Sequence, residues 1–239
     1  MSSDGNSSTW PRVLAGALVA TVPILLIAVV GNGSVVPVEL VQVVVLVALA
    51  YGVFRWAARR WILILTTALT ALALVGSLPY VVGDFSHPES GWAFVPSTLT
   101  IVALLVGVLA GVAATLRLSS APARPLVAAA AALSLLLVLV GIVATLGVKD
   151  DARAANDISV KAKATAYPTT VEAKAGDIAL YIENDDRIRH TFVIDDKDVK
   201  VELPGSANRR VTLSLATGTY AFHCDIPGHE SMKGTLAVE

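Results

Sequence analysis

The chain has 239 residues and a formal net charge of −1; 55% of the residues are hydrophobic, 15% are charged, and the mean hydropathy is +0.69. This composition is too apolar for an ordinary soluble domain, and no basic patch with interleaved aromatic residues points to nucleic-acid binding. Residues 150–239 carry eleven Lys/Arg and fifteen Asp/Glu, whereas the apolar excess lies before them. We therefore predict a membrane-embedded first part and a mildly acidic soluble second part.

A polar tail at residues 1–11 precedes five predicted transmembrane helices. Each apolar span has 17 to 23 residues, which corresponds to roughly 26–35 Å of helix and is enough to cross a bilayer core. The first span follows Arg12 and also fits the core of a secretory signal peptide, but its length and a poor cleavage site favour a retained helix. The predicted spans are residues 13–30, 38–54, 61–82, 96–116 and 126–148.

The short connections between the spans predict the orientation of this bundle. The connection at 55–60 contains three arginines and the one at 117–125 contains two, whereas the charged residues of 83–95 are both acidic. Cationic loops remain on the cytoplasmic side. The N-terminus is therefore expected in the cytoplasm, and an odd number of spans places the C-terminal domain outside the cell membrane.

The predicted spans lack the residues that membrane chemistry uses. They contain no Cys, His or Met, and their only acidic residue is Glu39, at the mouth of the second span. Ion paths, proton relays and haem sites depend on such groups inside the bilayer. We therefore predict that the bundle serves as an anchor or docking platform.

After a charged connector at 149–157, apolar and polar residues alternate, which is typical of half-buried strands. Several short strands with turn residues between them favour an all-β sandwich. Residues 158–239 are therefore predicted to form a Greek-key sandwich. Its predicted strands are 158–164, 171–177, 178–183, 191–194, 199–203, 210–215, 220–224 and 235–238.

Cys224, at the end of the seventh of these strands, is followed by His229 and Met232 in the spacing Cys-x4-His-x2-Met. A thiolate, an imidazole and a thioether suit copper, and a His2Cys plane with a weak axial Met is the blue-copper arrangement. His190 is the best candidate for the second histidine. His223 is predicted to point to the opposite face of its strand from Cys224 and to lie outside the site.

Other interpretations of these residues carry less weight. A lone cysteine is often a small core residue, and zinc also binds Cys and His, although a structural zinc site normally uses four such ligands. Cys224 is the only cysteine in the chain, and Met232 is the only methionine after Met1. Two such rare residues on either side of a histidine favour a copper site.

Residues 224–234, Cys-Asp-Ile-Pro-Gly-His-Glu-Ser-Met-Lys-Gly, are similar to the copper loop of azurin, which has one more residue between His and Met. The last 80 or so residues thus resemble the cupredoxins, the type 1 blue-copper domains of the azurin and plastocyanin kind. The resemblance implies a partly exposed His229 edge for electron transfer and a backbone N–H from Thr191 to the cysteine sulfur. It also implies one type 1 copper per chain, with the ligands His190, Cys224, His229 and Met232.

The expected function is that of a membrane-anchored blue-copper protein that transfers single electrons on the extracytoplasmic face and is not itself an enzyme. Its expected partners are the lipid bilayer and a redox protein, such as a cytochrome, a terminal oxidase or another copper protein. Two alternatives remain open. One is a copper-binding or copper-delivery module in copper homeostasis, and the other is a structural or sensory membrane protein without a redox role.

Overall fold

The computed structural model describes residues 9–32 and 37–239. The chain divides into two compact units, of which one consists mainly of helices and the other contains all the strands. The predicted fold class, a helical membrane part followed by a β-sandwich, is confirmed. The α-helices in the described ranges are α1 (Thr9–Asn32), α2 (Pro37–Trp56), α3 (Arg60–Phe85), α4 (Gly91–Leu116) and α5 (Ala123–Leu146).

Each predicted span corresponds to one of these helices, with differences at the ends. Helix α1 begins at Thr9, so residues 9–11 of the predicted polar tail are helical, and residues 1–8 lie outside the described residues. Pro11 fits the first helical turn because the N–H that it lacks would have no partner there. Helix α5 ends at Leu146, two residues before the predicted end of the last span.

Within the part of the chain that the structure describes, four helices are long and apolar enough to cross a membrane, namely α1, α3, α4 and α5. The apolar part of α2, Leu40–Trp56, is shorter. Many of the large apolar side chains of these helices are exposed, for example Phe54 at 80% and Leu146 at 81%. Such surfaces suit the hydrocarbon core of a bilayer. Helices are the expected structure there, because hydrocarbon offers no hydrogen-bond partner to free backbone groups.

The described residues form eight strands in two sheets. The first sheet has the strand order β1-β3-β6, in which β1 pairs with β3 in parallel and β3 pairs with β6 antiparallel. The second sheet has the order β2-β8-β7-β4-β5, with β2 parallel to β8 and the other pairs antiparallel. The strands are β1 (Ile158–Ala162), β2 (Thr170–Ala173), β3 (Gly176–Asn184), β4 (His190–Ile194), β5 (Val199–Leu203), β6 (Asn208–Leu215), β7 (Gly218–His223) and β8 (Lys233–Val238).

An aromatic cluster forms part of the core of this sandwich. The ring of Tyr167 packs edge-on against Phe192 and Phe222, with centroid distances of 5.9 and 5.5 Å, and the two phenylalanine rings lie 5.0 Å apart. Cys224 and Met232 belong to the same buried cluster. The residues singled out from the sequence as metal ligands therefore lie at the edge of a closely packed apolar core.

Candidate metal centre

Strand β4 carries His190 at its first position. All five residues of this strand are buried, and the side chain of His190 is fully buried. Backbone pairing with β5 places His190 opposite Leu203. The imidazole is thus fixed by a strand in the interior of its sheet.

The loop from Cys224 to Met232 follows β7 and is closed by its own backbone. The N–H of Cys224 donates to the carbonyl of Met232 at 2.9 Å, and the N–H of Met232 donates to the carbonyl of His229 at 2.8 Å. Gly228 has φ +91°, a conformation that side chains disfavour. The turn at Gly228 directs the chain back so that His229 faces Cys224.

The ligand atoms of three predicted residues face one another. Nδ1 of His190 lies 3.3 Å from Nδ1 of His229, and the latter lies 3.5 Å from Sγ of Cys224. All three ligand atoms lie within 4.8 Å of one another. Donors that share one metal ion at about 2.0–2.3 Å in a trigonal plane lie roughly 3.5–4 Å apart. These spacings therefore fit a single metal ion.

Met232 is placed in this cluster by its burial and its backbone bonds. Its side chain is fully buried in the same core as Cys224. The backbone bond between these two residues brings both ends of the loop together. Its role as axial ligand stays a prediction.

Two groups of Thr191 approach the cysteine sulfur. The backbone N–H of Thr191 donates to Sγ of Cys224 at 3.4 Å, as the resemblance to cupredoxins implied. The hydroxyl Oγ1 lies 3.5 Å from the same sulfur and 2.7 Å from Oδ1 of Asp225. Hydrogen bonds to a metal-bound sulfur and the apolar shell around it tune the potential of such a site.

A carboxylate holds the other side of the His190 ring. Nε2 of His190 lies 2.9 Å from Asp186, and the same carboxylate accepts backbone N–H groups from Ala164 and Thr165 at 2.7 and 2.9 Å. Burial alone would raise the pKa of Asp186, but these bonds hold it below its usual value. With Nε2 engaged by the carboxylate, the Nδ1 atom of His190 is left for a metal.

Burial favours the neutral form of both histidines. Burial lowers the pKa of His190 in spite of its bond to Asp186. Burial, together with the nearby His190 and Arg189, lowers the pKa of His229 to about 4. Neutral imidazoles are the form that binds metal ions.

His223 lies outside this cluster. It is partly exposed, and its Nδ1 lies 3.8 Å from Asp195. Its neighbour Phe222, in contrast, is buried in the core. Side chains of successive residues in a strand point to opposite faces. This alternation is the basis of the prediction that His223 points away from Cys224.

The last residue of β3 and the residues that connect β3 to β4 help to hold a predicted ligand in place, a role that the sequence did not indicate. Asp186 orients His190, and the buried amide of Asn184 donates to three backbone carbonyls, those of Ile188, Leu203 and Pro204. The one local signal was a carboxylate four residues before a candidate ligand histidine. Such a spacing is common in polar loops and does not by itself identify a role.

The donor set decides which metal the site suits. One sulfur and two imidazole nitrogens match copper, whereas structural zinc normally uses four Cys or His ligands. Among the described residues, this is the cluster of His and Cys that could hold a metal ion. The site thus supports one copper ion per chain.

Comparison with known proteins agrees with this site. Residues 135–238 match the model of the cupredoxin-like domain family. The matched segment begins within α5 and includes strands β1 to β8. No curated protein matches the chain.

Similar solved structures include the Cu(I) form of one amicyanin variant and the oxidised state of another. Each is 22% identical and covers 36% of this chain and 86% of the amicyanin, with a TM-score of 0.31. A copper-containing nitrite reductase from Thermus scotoductus is 23% identical, with 39% of this chain and 24% of that chain covered and a TM-score of 0.31. Likeness at this level carries no functional inference. The family match shows that residues 135–238 are similar to a cupredoxin-like domain, and the N-terminal region contains membrane-capable helices.

Proposed function

We propose that this chain is a membrane-anchored blue-copper protein that carries single electrons on the extracytoplasmic face. The observation that supports it most directly is the buried cluster in which His190, Cys224 and His229 turn their ligand atoms toward one another. Met232, fully buried beside Cys224, is the proposed axial fourth ligand. The chemistry that copper supplies when bound is the exchange of one electron between Cu(II) and Cu(I).

The residues of the chain hold these donors in place. Asp186 fixes the ring of His190, and the backbone bond from Cys224 to Met232 closes the loop that presents the sulfur. The rings of Phe192 and Phe222 keep water from the buried side of the site. Because the donors are positioned before any electron arrives, little rearrangement accompanies a change in charge at the centre.

His229 is the proposed route for electrons. It is half-buried, and its neighbours Pro227 and Gly228 are exposed, so that this edge is accessible to a partner. A cytochrome, a terminal oxidase or another copper protein is the proposed partner. A carrier of this kind needs one copper centre and no substrate pocket, so the chain is proposed to act without catalysing a reaction of its own.

The helices are proposed to anchor the domain in the cell membrane. Their exposed apolar surfaces and four membrane-capable lengths support insertion. The arginines of the connections after α2 and α4 support a cytoplasmic N-terminus, with the copper domain on the opposite side.

A spectrum of the full-length protein in detergent, loaded with Cu(II), tests the copper assignment. We expect an intense visible absorption and a narrow copper hyperfine splitting from the wild type, since both arise from a thiolate–copper bond. Cys224→Ser is expected to lose both signals, and His229→Gln to lose or alter them. His223→Gln is the matched control, because it removes a neighbouring histidine outside the cluster, and it is expected to keep the colour.

A colourless wild type, or a blue Cys224→Ser variant, would contradict the ligand assignment. A second measurement separates electron transfer from copper delivery. The carrier is expected to undergo reversible one-electron reduction and to keep its copper in the presence of a Cu(I) chelator. Rapid loss of copper to the chelator would instead support delivery.

A further inference from the structure

The hydroxyl of Thr191 has two acceptors and one proton. The side chain is buried, with 1% of its surface exposed. Its Oγ1 accepts the backbone N–H of Asp225 at 2.9 Å, which fixes the position of the oxygen. The proton can then go either to Oδ1 of Asp225, at 2.7 Å, or to Sγ of Cys224, at 3.5 Å.

Distance favours the carboxylate over the sulfur as the acceptor of this proton. Hydrogen bonds from a hydroxyl to a carboxylate oxygen are short and strong, and sulfur is a weak acceptor. Lys200 holds the other carboxylate oxygen, with Nζ 2.7 Å from Oδ2 of Asp225. This ion pair keeps Oδ1 directed at the hydroxyl. The sulfur retains the backbone N–H of Thr191, at 3.4 Å.

We propose that Asp225, held by Lys200, is a positioning residue that draws the Thr191 hydroxyl proton away from the cysteine sulfur and thereby lowers the reduction potential of the copper centre. The inference rests on the proposed function, because it requires copper on Cys224. A hydrogen bond to the sulfur withdraws electron density from the thiolate and favours Cu(I) over Cu(II). Withholding that bond therefore favours Cu(II).

A double-mutant cycle on the full-length, copper-loaded protein in detergent tests this inference. Asp225→Ala removes the competing acceptor, so the hydroxyl turns to the sulfur, the reduction potential rises and the copper–sulfur stretching frequency in the resonance Raman spectrum falls. In a Thr191→Val background no hydroxyl is present. There, Asp225→Ala changes the potential only through its lost charge and leaves the stretching frequency unchanged.

Two further variants keep the test decisive. The single variant Thr191→Val is expected to leave the copper–sulfur stretching frequency near that of the wild type. This frequency can be measured even if Asp225→Ala fails to fold. Glu202→Ala removes a carboxylate that also lies near Lys200, at 3.8 Å, and serves as the charge control. It is expected to shift the potential without a change in the copper–sulfur frequency.

The outcomes distinguish this inference from the proposed function. A colourless wild type overturns the copper assignment and this inference with it. A blue wild type in which Asp225→Ala has equal effects in both backgrounds overturns the inference alone. A rise in the copper–sulfur frequency on Thr191→Val also overturns it, because the hydroxyl would then already be bonded to the sulfur.

Discussion

The helices and the sandwich place their apolar side chains in opposite ways. In the described part of the chain, every exposed large apolar side chain precedes Gly147, whereas the large apolar residues of the strands point inward or are partly covered. In helix α5, only 6% of the most apolar segment is buried. This difference indicates that the surface of the helices suits lipid and that the surface of the sandwich suits water, because apolar surface is costly in water and not in lipid.

Buried polar groups follow the same division. In the helices the hydroxyls of Thr21 and Thr70 donate to carbonyls four residues earlier in the same helix, at 3.0 and 2.8 Å. In the sandwich the amide of Asn184 reaches carbonyls as far away as Pro204. Partners within a helix can be inferred from spacing alone, whereas partners across the sandwich depend on the tertiary fold.

The largest expected effect comes from removing a core leucine of the sandwich. Leu236 is fully buried in β8, and Leu236→Ala should destabilise the sandwich by ~2–5 kcal/mol. The matched change is Leu135→Ala, at a position in α5 that is 62% exposed. It should lower the free energy of unfolding by less than ~1 kcal/mol.

Cys224 offers the measurement for this pair, because it is the only cysteine and is buried. The urea midpoint for thiol labelling of Cys224 in the copper-free protein should fall for Leu236→Ala and stay near the wild-type value for Leu135→Ala. Equal midpoints for both variants would break the comparison between the two regions.

A charged residue introduced into α5 tests whether this helix faces lipid. Leu135→Asp, near the middle of this helix, should oppose membrane insertion by ~2.5–3.5 kcal/mol. Thr212→Asp, on an exposed position of β6, should have little effect. Glycosylation sites on either side of α5 can measure the fraction of molecules in which this helix is inserted. Unchanged insertion of the Leu135→Asp variant would show that the position does not face lipid.

Removing a buried amide from the sandwich should have an intermediate effect. Asn184 is 3% exposed, and Asn184→Ala leaves the carbonyls of Ile188, Leu203 and Pro204 without its bonds, at a cost of ~2 kcal/mol. Asn208→Ala, whose amide bonds to Asp150 at the surface, should cost less than ~0.5 kcal/mol.

The loop that precedes His190 should loosen in Asn184→Ala, so copper should be lost more readily to a chelator in that variant than in Asn208→Ala. Equal copper retention and equal Cys224 labelling midpoints in the two variants would show that the amide has no structural role.

The smallest expected effect is a dependence of the copper-free sandwich on pH. The pKa of His229 is lowered from 6.5 to about 4. As the pH falls below 6.5 the unfolded chain binds a proton that the folded chain does not bind until about pH 4, so stability is lost over this range. The urea midpoint for Cys224 labelling should therefore decrease between pH 7 and pH 5, and His229→Gln should show a shallower decrease. Identical slopes would contradict the lowered pKa.

Much of this protein follows from patterns that are local in the sequence. Runs of apolar residues predicted five helices, and alternation of apolar and polar residues predicted eight strands. Both patterns are visible within short stretches of sequence, because the spacing of apolar residues reflects the geometry of the element and the solvent that it faces. The copper loop was predictable for the same reason. Cys224, His229 and Met232 lie within nine residues, and their rarity in the chain makes the pattern specific.

Only the tertiary structure decided how those residues are held. The hydrogen bond between Nε2 of His190 and the carboxylate of Asp186 depends on the loop that carries Asp186. The bonds of Asn184 and Asp225 join segments up to 34 residues apart in sequence. Carboxylates and amides are common in polar loops, so their presence carries little information by itself. What gives Asp186 its role is the tertiary fold, which brings its carboxylate to 2.9 Å from Nε2 of His190.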